Sequence, residues 1–230
     1  MNKPYLKSMD IQGFKSFRDH THIEFSPKIN VILGAHRTGK TNILDAIKWC
    51  LFNDRFLNIL NIFNGETCIN LAEVQLSFGL EENDSSNTIL KRRIECDNNK
   101  RIIKHECFIN GELIAEGLFA QQLFEQGFLK QETELERMFS GSFFETNHCN
   151  RFDISVSSFL PTPLCLIDDS LSPTDEPLNQ IITSMIKGLS EISQCIVVSQ
   201  MKQIAMEADR MIGVTMEGDS SKVMELKRLS

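Results

Sequence analysis

Two short stretches hold the residue types that could handle a phosphate group. Gly34-Ala-His-Arg-Thr-Gly-Lys-Thr41 satisfies GxxxxGK[ST] at every fixed position. Gly34 and Gly39 let the backbone curl, so that the N–H groups from Ala35 through His36, Arg37 and Thr38 turn toward one anion. Lys40 offers an ammonium to the β and γ phosphates, and the Thr41 hydroxyl offers a ligand to Mg²⁺. Asn42 follows in a helix whose N-terminal end adds a positive dipole. Further along, Leu164-Cys-Leu-Ile167 runs into Asp168-Asp169. A carboxylate at such a strand tip, Asp168, suits Mg²⁺ held through water; its neighbour Asp169 suits the catalytic task of orienting or deprotonating an attacking water. Two acids after an apolar run also mark an ordinary strand-to-turn junction. The intact loop upstream favours the metal reading for Asp168, and the reach of Asp169 leaves its role as a base open. The chemistry on offer is binding of ATP with Mg²⁺.

These residues need elements to hold them. Ile29 to Leu33 is almost wholly apolar, as a buried strand is, and leads straight into the loop. Ile43, Leu44, Ile47 and Leu51 repeat at helical spacing over Asn42 to Phe52. Strands are expected at Tyr5–Ile11 and His22–Phe25, then over 71–80, 88–95 and 101–109, as an antiparallel meander with a turn at 97–100. Ile109-Asn-Gly111 is a turn signal, and 113–138 has helical composition broken by Gly117 and Gly127. Beyond the mixed stretch 139–160, strands are expected at 164–167, 195–198, 212–216 and 222–226, and helices near 176–189 and 202–209. Buried strands alternating with helices predict an α/β core with a mixed, largely parallel sheet, joined to an antiparallel β lobe.

Bulk properties narrow the partners. In 230 residues, 41% are hydrophobic and 24% charged, and no apolar run approaches a membrane span. The N-terminus is too polar for a signal peptide, and seven scattered cysteines without a CxxC pair suit reduced thiols; the expected location is cytoplasmic, nucleoid-associated in a bacterium, with no membrane partner. A net charge of −7 argues against a surface coated for nucleic acid. One basic hairpin, Lys91, Arg92 and Arg93 with Lys100, Arg101 and Lys104, has the charge to touch DNA phosphates; a solvated strand face offset by Glu95 and Glu106 is the favoured alternative. The lone histidines read as surface or packing residues.

The order of segments resembles the head of structural-maintenance-of-chromosomes (SMC) ATPases and related RecF/RecN-type heads. The opening Gly13-Phe-Lys-Ser-Phe17, the strand Phe25-Ser-Pro-Lys-Ile-Asn-Val-Ile-Leu-Gly34 and the helix Thr41-Asn-Ile-Leu-Asp-Ala-Ile-Lys-Trp49 carry the likeness. So do Leu71–Leu76, Phe108–Gly111, Pro161–Asp168 and Gly213–Met216. The resemblance implies a P-loop NTPase of ABC type: a single head over 1–230, with an N-lobe at 1–127 and a C-lobe at 139–230. A short junction at 128–138 then stands where full-length members carry a long coiled coil. It also implies Lys15 and Ser16 beside the nucleotide, Gln126, favoured over Gln121, as a Mg²⁺ contact, Asp175 at a head–head contact, and ATP-dependent pairing with a second copy or an intact SMC head.

Several positions depart from the family pattern. Asp169 replaces a catalytic glutamate, and Gln200 replaces the switch histidine. The signature falls at Phe139-Ser-Gly-Ser-Phe143, where Ser140 and Gly141 survive as dimer-contact candidates and the second glycine is Ser142. These changes spare nucleotide binding and fall on hydrolysis and partner engagement. The expected function is a slow Mg²⁺-dependent ATPase head in chromosome segregation or DNA maintenance. The alternatives are a pseudo-ATPase binding module and an ABC-type ATPase serving another partner.

Overall fold

The structure, a computed structural model, describes residues 4–52, 71–80, 83–97, 101–115, 118, 164–168 and 176–226. Alternating sequences in the first half form β1 (Pro4–Gln12), β2 (Thr21–Glu24), β4 (Leu71–Leu80), β5 (Asn83–Cys96), β6 (Ile102–Ile109) and β7 (Glu112–Ile114). They pair as an antiparallel sheet in the order β2-β1-β4-β5-β6-β7. The apolar runs form β3 (Ile29–Leu33), β8 (Leu164–Asp168) and β9 (Gln194–Val198), joined by β10 (Arg210–Glu217) and β11 (Ser220–Leu226) in the order β11-β10-β3-β9-β8. All pairs in this second sheet are parallel except the β10–β11 hairpin.

Helix α1 (Lys40–Phe52) lies between the two sheets. Its Ile43, Leu44, Ile47, Trp49 and Leu51 share one buried cluster with Val74, Leu76, Leu90 and Ile94 of the first sheet and Ile196, Val198 and Ile212 of the second. Strand side chains alternate faces, so Ile29 and Val31 point the other way from Ile32. They pack with Cys195 and Val197 beneath α2 (Glu176–Ser190) and α3 (Lys202–Glu207). A strand covered on both faces needs apolar residues at every position, which is why β3 and β9 read as continuous runs. Buried Gln194 ties the sheets together: its Nε2 donates to Leu6 O (2.9 Å) and Ser26 O (2.8 Å), and its Oε1 accepts from Leu6 N (2.8 Å).

Two expectations change. The helix expected from 113 onward gives way at its start to β7, which pairs Ile109 with Glu112. Asn110 and Gly111 both have positive φ (51° and 86°), the two-residue turn that matches strand twist, so the chain doubles back as a hairpin. Arg92 does not belong to a basic surface. It shares the inward parity of Leu90 and Ile94 and is 2% exposed, with its guanidinium over the Trp49 ring and Nε donating to Cys50 O at 3.2 Å. On the outward face Lys91 pairs with Glu73, Arg93 with Glu95 and Lys104 with Glu106, the offset strand face favoured above. Arg101 is exposed at the hairpin, and Lys100 lies outside the described residues. Among the described residues Cys50, Cys96, Cys107, Cys165 and Cys195 are free thiols, and no helix is long and apolar enough to cross a membrane.

Candidate nucleotide site

The carboxyl ends of β3, β9 and β8 meet at one edge of the parallel sheet. Ile32 and Asp168 are both in register with Val198, so Asp168 ends its strand level with the end of β3, just before the loop. With strands ~4.8 Å apart, β9 sets Asp168 roughly 10 Å from β3. The loop at 34–39 leads from β3 into α1, which starts at Lys40, with Asn42 N donating to Gly39 O (3.1 Å).

Each fixed glycine has a steric reason. A Cβ on Gly34 would stand 2.2 Å from Val214 O, because β10 passes directly beneath the loop. Gly39 has φ +97°, and a Cβ there would stand 2.3 Å from Ser221 Oγ and 2.5 Å from Ser16 Oγ. Arg37 also takes a positive φ of 62°. Thr38 is buried and its hydroxyl donates to Ala35 O (3.0 Å), closing the loop on itself. Ala35, His36, Arg37 and Thr41 stay exposed along the rim.

Lys40 folds back over this rim, its Nζ donating to Ala35 O at 2.6 Å. Partial burial holds its pKa below the ordinary lysine value, and the Asp168 carboxylate opposes that shift. Asp168 therefore acts electrostatically on Lys40, as a pair sharing one site must. Gln200 is exposed just beyond β9, the strand between the loop strand and the Asp168 strand, so it emerges at the same edge.

Lys15 and Ser16 come to the loop by different routes. Ser16 is buried beneath it: Asn42 Nδ2 donates to Ser16 Oγ (2.7 Å). Lys15, at φ 50°, reaches the side of α1, and its ammonium pairs with Asp45 Oδ2 at 2.5 Å. Asp45 was missed in the sequence, yet its place four residues after Thr41 sets it one turn further along the same helix. Gln126, Ser140, Gly141, Asp169 and Asp175, with the junction at 128–138, lie outside the described residues. Among the described residues no group of three or more His, Cys, Asp or Glu is arranged to hold a metal ion alone.

The profile of the RecF/RecN/SMC N-terminal domain matches residues 5–222, nearly the whole chain. The chain belongs to this family. A chromosome partition protein Smc from Desulfitobacterium hafniense is 34% identical over 106 residues, 40% of this chain and 9% of that protein. The Smc of Mycoplasma pneumoniae is 33% identical over 144 residues, 54% of this chain and 14% of its own length. The matched part is thus a small fraction of those relatives. Among solved structures, the SMC head domain from Thermotoga maritima superposes with a TM-score of 0.70 at 20% identity, covering 97% of this chain and 100% of that one. An SMC head bound to the C-winged helix domain of ScpA gives 0.71 at 20% identity, covering 97% and 98%. At such identities the likeness concerns the fold, which is that of an SMC-type, ABC-class P-loop head.

Proposed function

We propose that this chain is an ATP-binding SMC-type head that hydrolyses ATP slowly and uses it to close a head–head dimer in chromosome segregation or DNA maintenance. The observation that carries this is the loop at 34–41, seated between a buried strand and α1, with Asp168 acting on Lys40 from across β9. The donor set fits Mg²⁺-ATP: backbone amides and one ammonium for phosphate oxygens, one hydroxyl and one carboxylate for a hard cation. When bound, that group supplies the electrophilic phosphorus and neutralises charge around it. Lys40 holds phosphate oxygens, Thr41 and Asp168 hold the cation, and Gln126 is a further candidate contact. Asp169 orients water, one methylene shorter than the glutamate of the family pattern. A misplacement near 1 Å costs on the order of 10²-fold, so turnover is slow rather than absent. Partners are a second head, through Ser140, Gly141 and Asp175, and a winged-helix protein of the kind seen on a neighbouring solved head. The domain division at 128–138 belongs to the same reading.

Phosphate release and solution mass test it together. The wild type turns over slowly, Asp169→Glu raises the rate, and Asp169→Ala abolishes it while ATP doubles the mass of that variant. Binding of ATP with no turnover in any variant and no change in mass would leave a nucleotide-binding module and refute the ATPase. That outcome is the alternative favoured by the altered residues at 142, 169 and 200.

A further inference from the structure

We propose that Ser221 is a positioning residue of the nucleotide site, fixing the Thr38–Gly39 peptide so that the Gly39 N–H faces the phosphates. The inference rests on the reading of 34–41 as a nucleotide loop and adds to it a residue from the far end of the chain.

Ser221 is the second residue of β11 and is 0% exposed. Its hydroxyl lies 2.7 Å from Thr38 O and 2.7 Å from Ser16 Oγ, with Met216 Sδ more distant at 3.9 Å. Its backbone N donates to Ser16 O at 2.8 Å, so main chain and side chain both grip the same corner. The proton assignments follow without choice. A carbonyl only accepts, so Ser221 spends its single proton on Thr38 O. Ser16 must then donate to Ser221, and Asn42 Nδ2 donates to Ser16 at 2.7 Å. The result is a one-way chain, Asn42 to Ser16 to Ser221 to the Thr38 carbonyl, in which each bond polarises the next.

Its terminus matters because of peptide geometry. In a trans peptide the C=O of one residue and the N–H of the next point in opposite directions. With Thr38 O anchored inward, the Gly39 N–H points outward to the rim, where a phosphate-binding loop needs its donors. Polarisation of the carbonyl also makes that N–H a better donor. The closeness is visible at Gly39, where a Cβ would meet both hydroxyls at 2.3 and 2.5 Å. The β10–β11 hairpin, remote in sequence, thereby becomes part of the scaffold of the loop.

The experiment compares the wild type with Ser221→Ala, Ser221→Cys, Ser16→Ala and the Ser16→Ala/Ser221→Ala double variant. Titrations with Mg²⁺-ATP and with AMP are read beside the Gly39 amide resonance in the ligand-free protein. Loss of one such hydrogen bond predicts ATP affinity roughly 3- to 10-fold weaker in Ser221→Ala. AMP, which lacks the outer phosphates, changes far less, and the Gly39 amide shifts before any ligand is added. Ser221→Cys, a weak donor of similar shape, falls between, and the double variant is no worse than Ser221→Ala. Should Ser221→Ala fail to fold, Ser221→Cys and Ser16→Ala carry the same comparison. Equal loss for ATP and AMP, or an unmoved Gly39 amide, overturns the proposal. A wild type that binds no ATP defeats the functional reading, and the Gly39 amide still decides whether Ser221 sets that peptide.

Discussion

Two influences compete at Lys40: burial lowers its pKa from 10.5, and the carboxylate of Asp168 raises it. Because burial wins, the free protein loses this ammonium at a lower pH than an unperturbed lysine would. The charged form grips phosphate, so ATP affinity falls with rising pH in a window that opens below 10.5. Asp168→Asn removes the opposing influence and moves that window to still lower pH. Titration of Mg²⁺-free ATP, with chelator present to remove the metal role of Asp168, checks this; an unmoved window would contradict it. Burial also dominates at Cys50. Its thiol is pushed up to about 12, chiefly by burial, with Arg92 pulling the other way. Native protein at pH 8 should therefore leave Cys50 unmodified by a thiol reagent, and unfolding should expose it to rapid reaction.

At the scale of elements, α1 is tied to the first sheet as well as to the loop. Arg92 reaches across from β5 to Cys50 O on the helix, while its Nη1 meets His105 Nε2 at 3.1 Å on β6. Arg92→Ala would remove both contacts and empty a fully packed site, at a cost of about 2–4 kcal/mol. Urea denaturation measures it; a change under ~0.5 kcal/mol would show that the contact is incidental. This inward arginine was legible in principle, since Leu90, Arg92, Ile94 and Cys96 share one parity of a period-two strand. Charge composition hid it, because three consecutive basic residues read as one surface. The elements around the loop were plain for the opposite reason: apolar runs and helical spacing report burial directly. The short β7 was lost because helical composition downstream outweighed an Asn-Gly turn whose backbone geometry demands a returning strand.

For the whole molecule, the fold brings residues far apart in the chain to one sheet edge. The loop at 34–41 and Asp168 could be joined from sequence, since their patterns belong to a known chemistry. Ser16 came to the site with the family resemblance, whereas Ser221 could not be joined to the loop in that way, because a lone serine in a strand carries no signal until topology sets β10–β11 under the loop. The same topology explains a head whose second sheet is built largely from its C-terminal part: β3 comes from the first half and its neighbours β9 and β10 from the last. A chain ending before β10 would therefore lack the support beneath Gly34 and Gly39, where Val214 and Ser221 stand. The central claim is that this edge grips the phosphates of ATP with Mg²⁺. Calorimetric titration of the intact chain with Mg²⁺-ATP, beside Lys40→Ala, tests it most directly. Binding should be saturable and one-to-one, and weaker by at least about tenfold, or some 1.4 kcal/mol, in the variant; heat that is absent, or identical in both proteins, would rule this grip out.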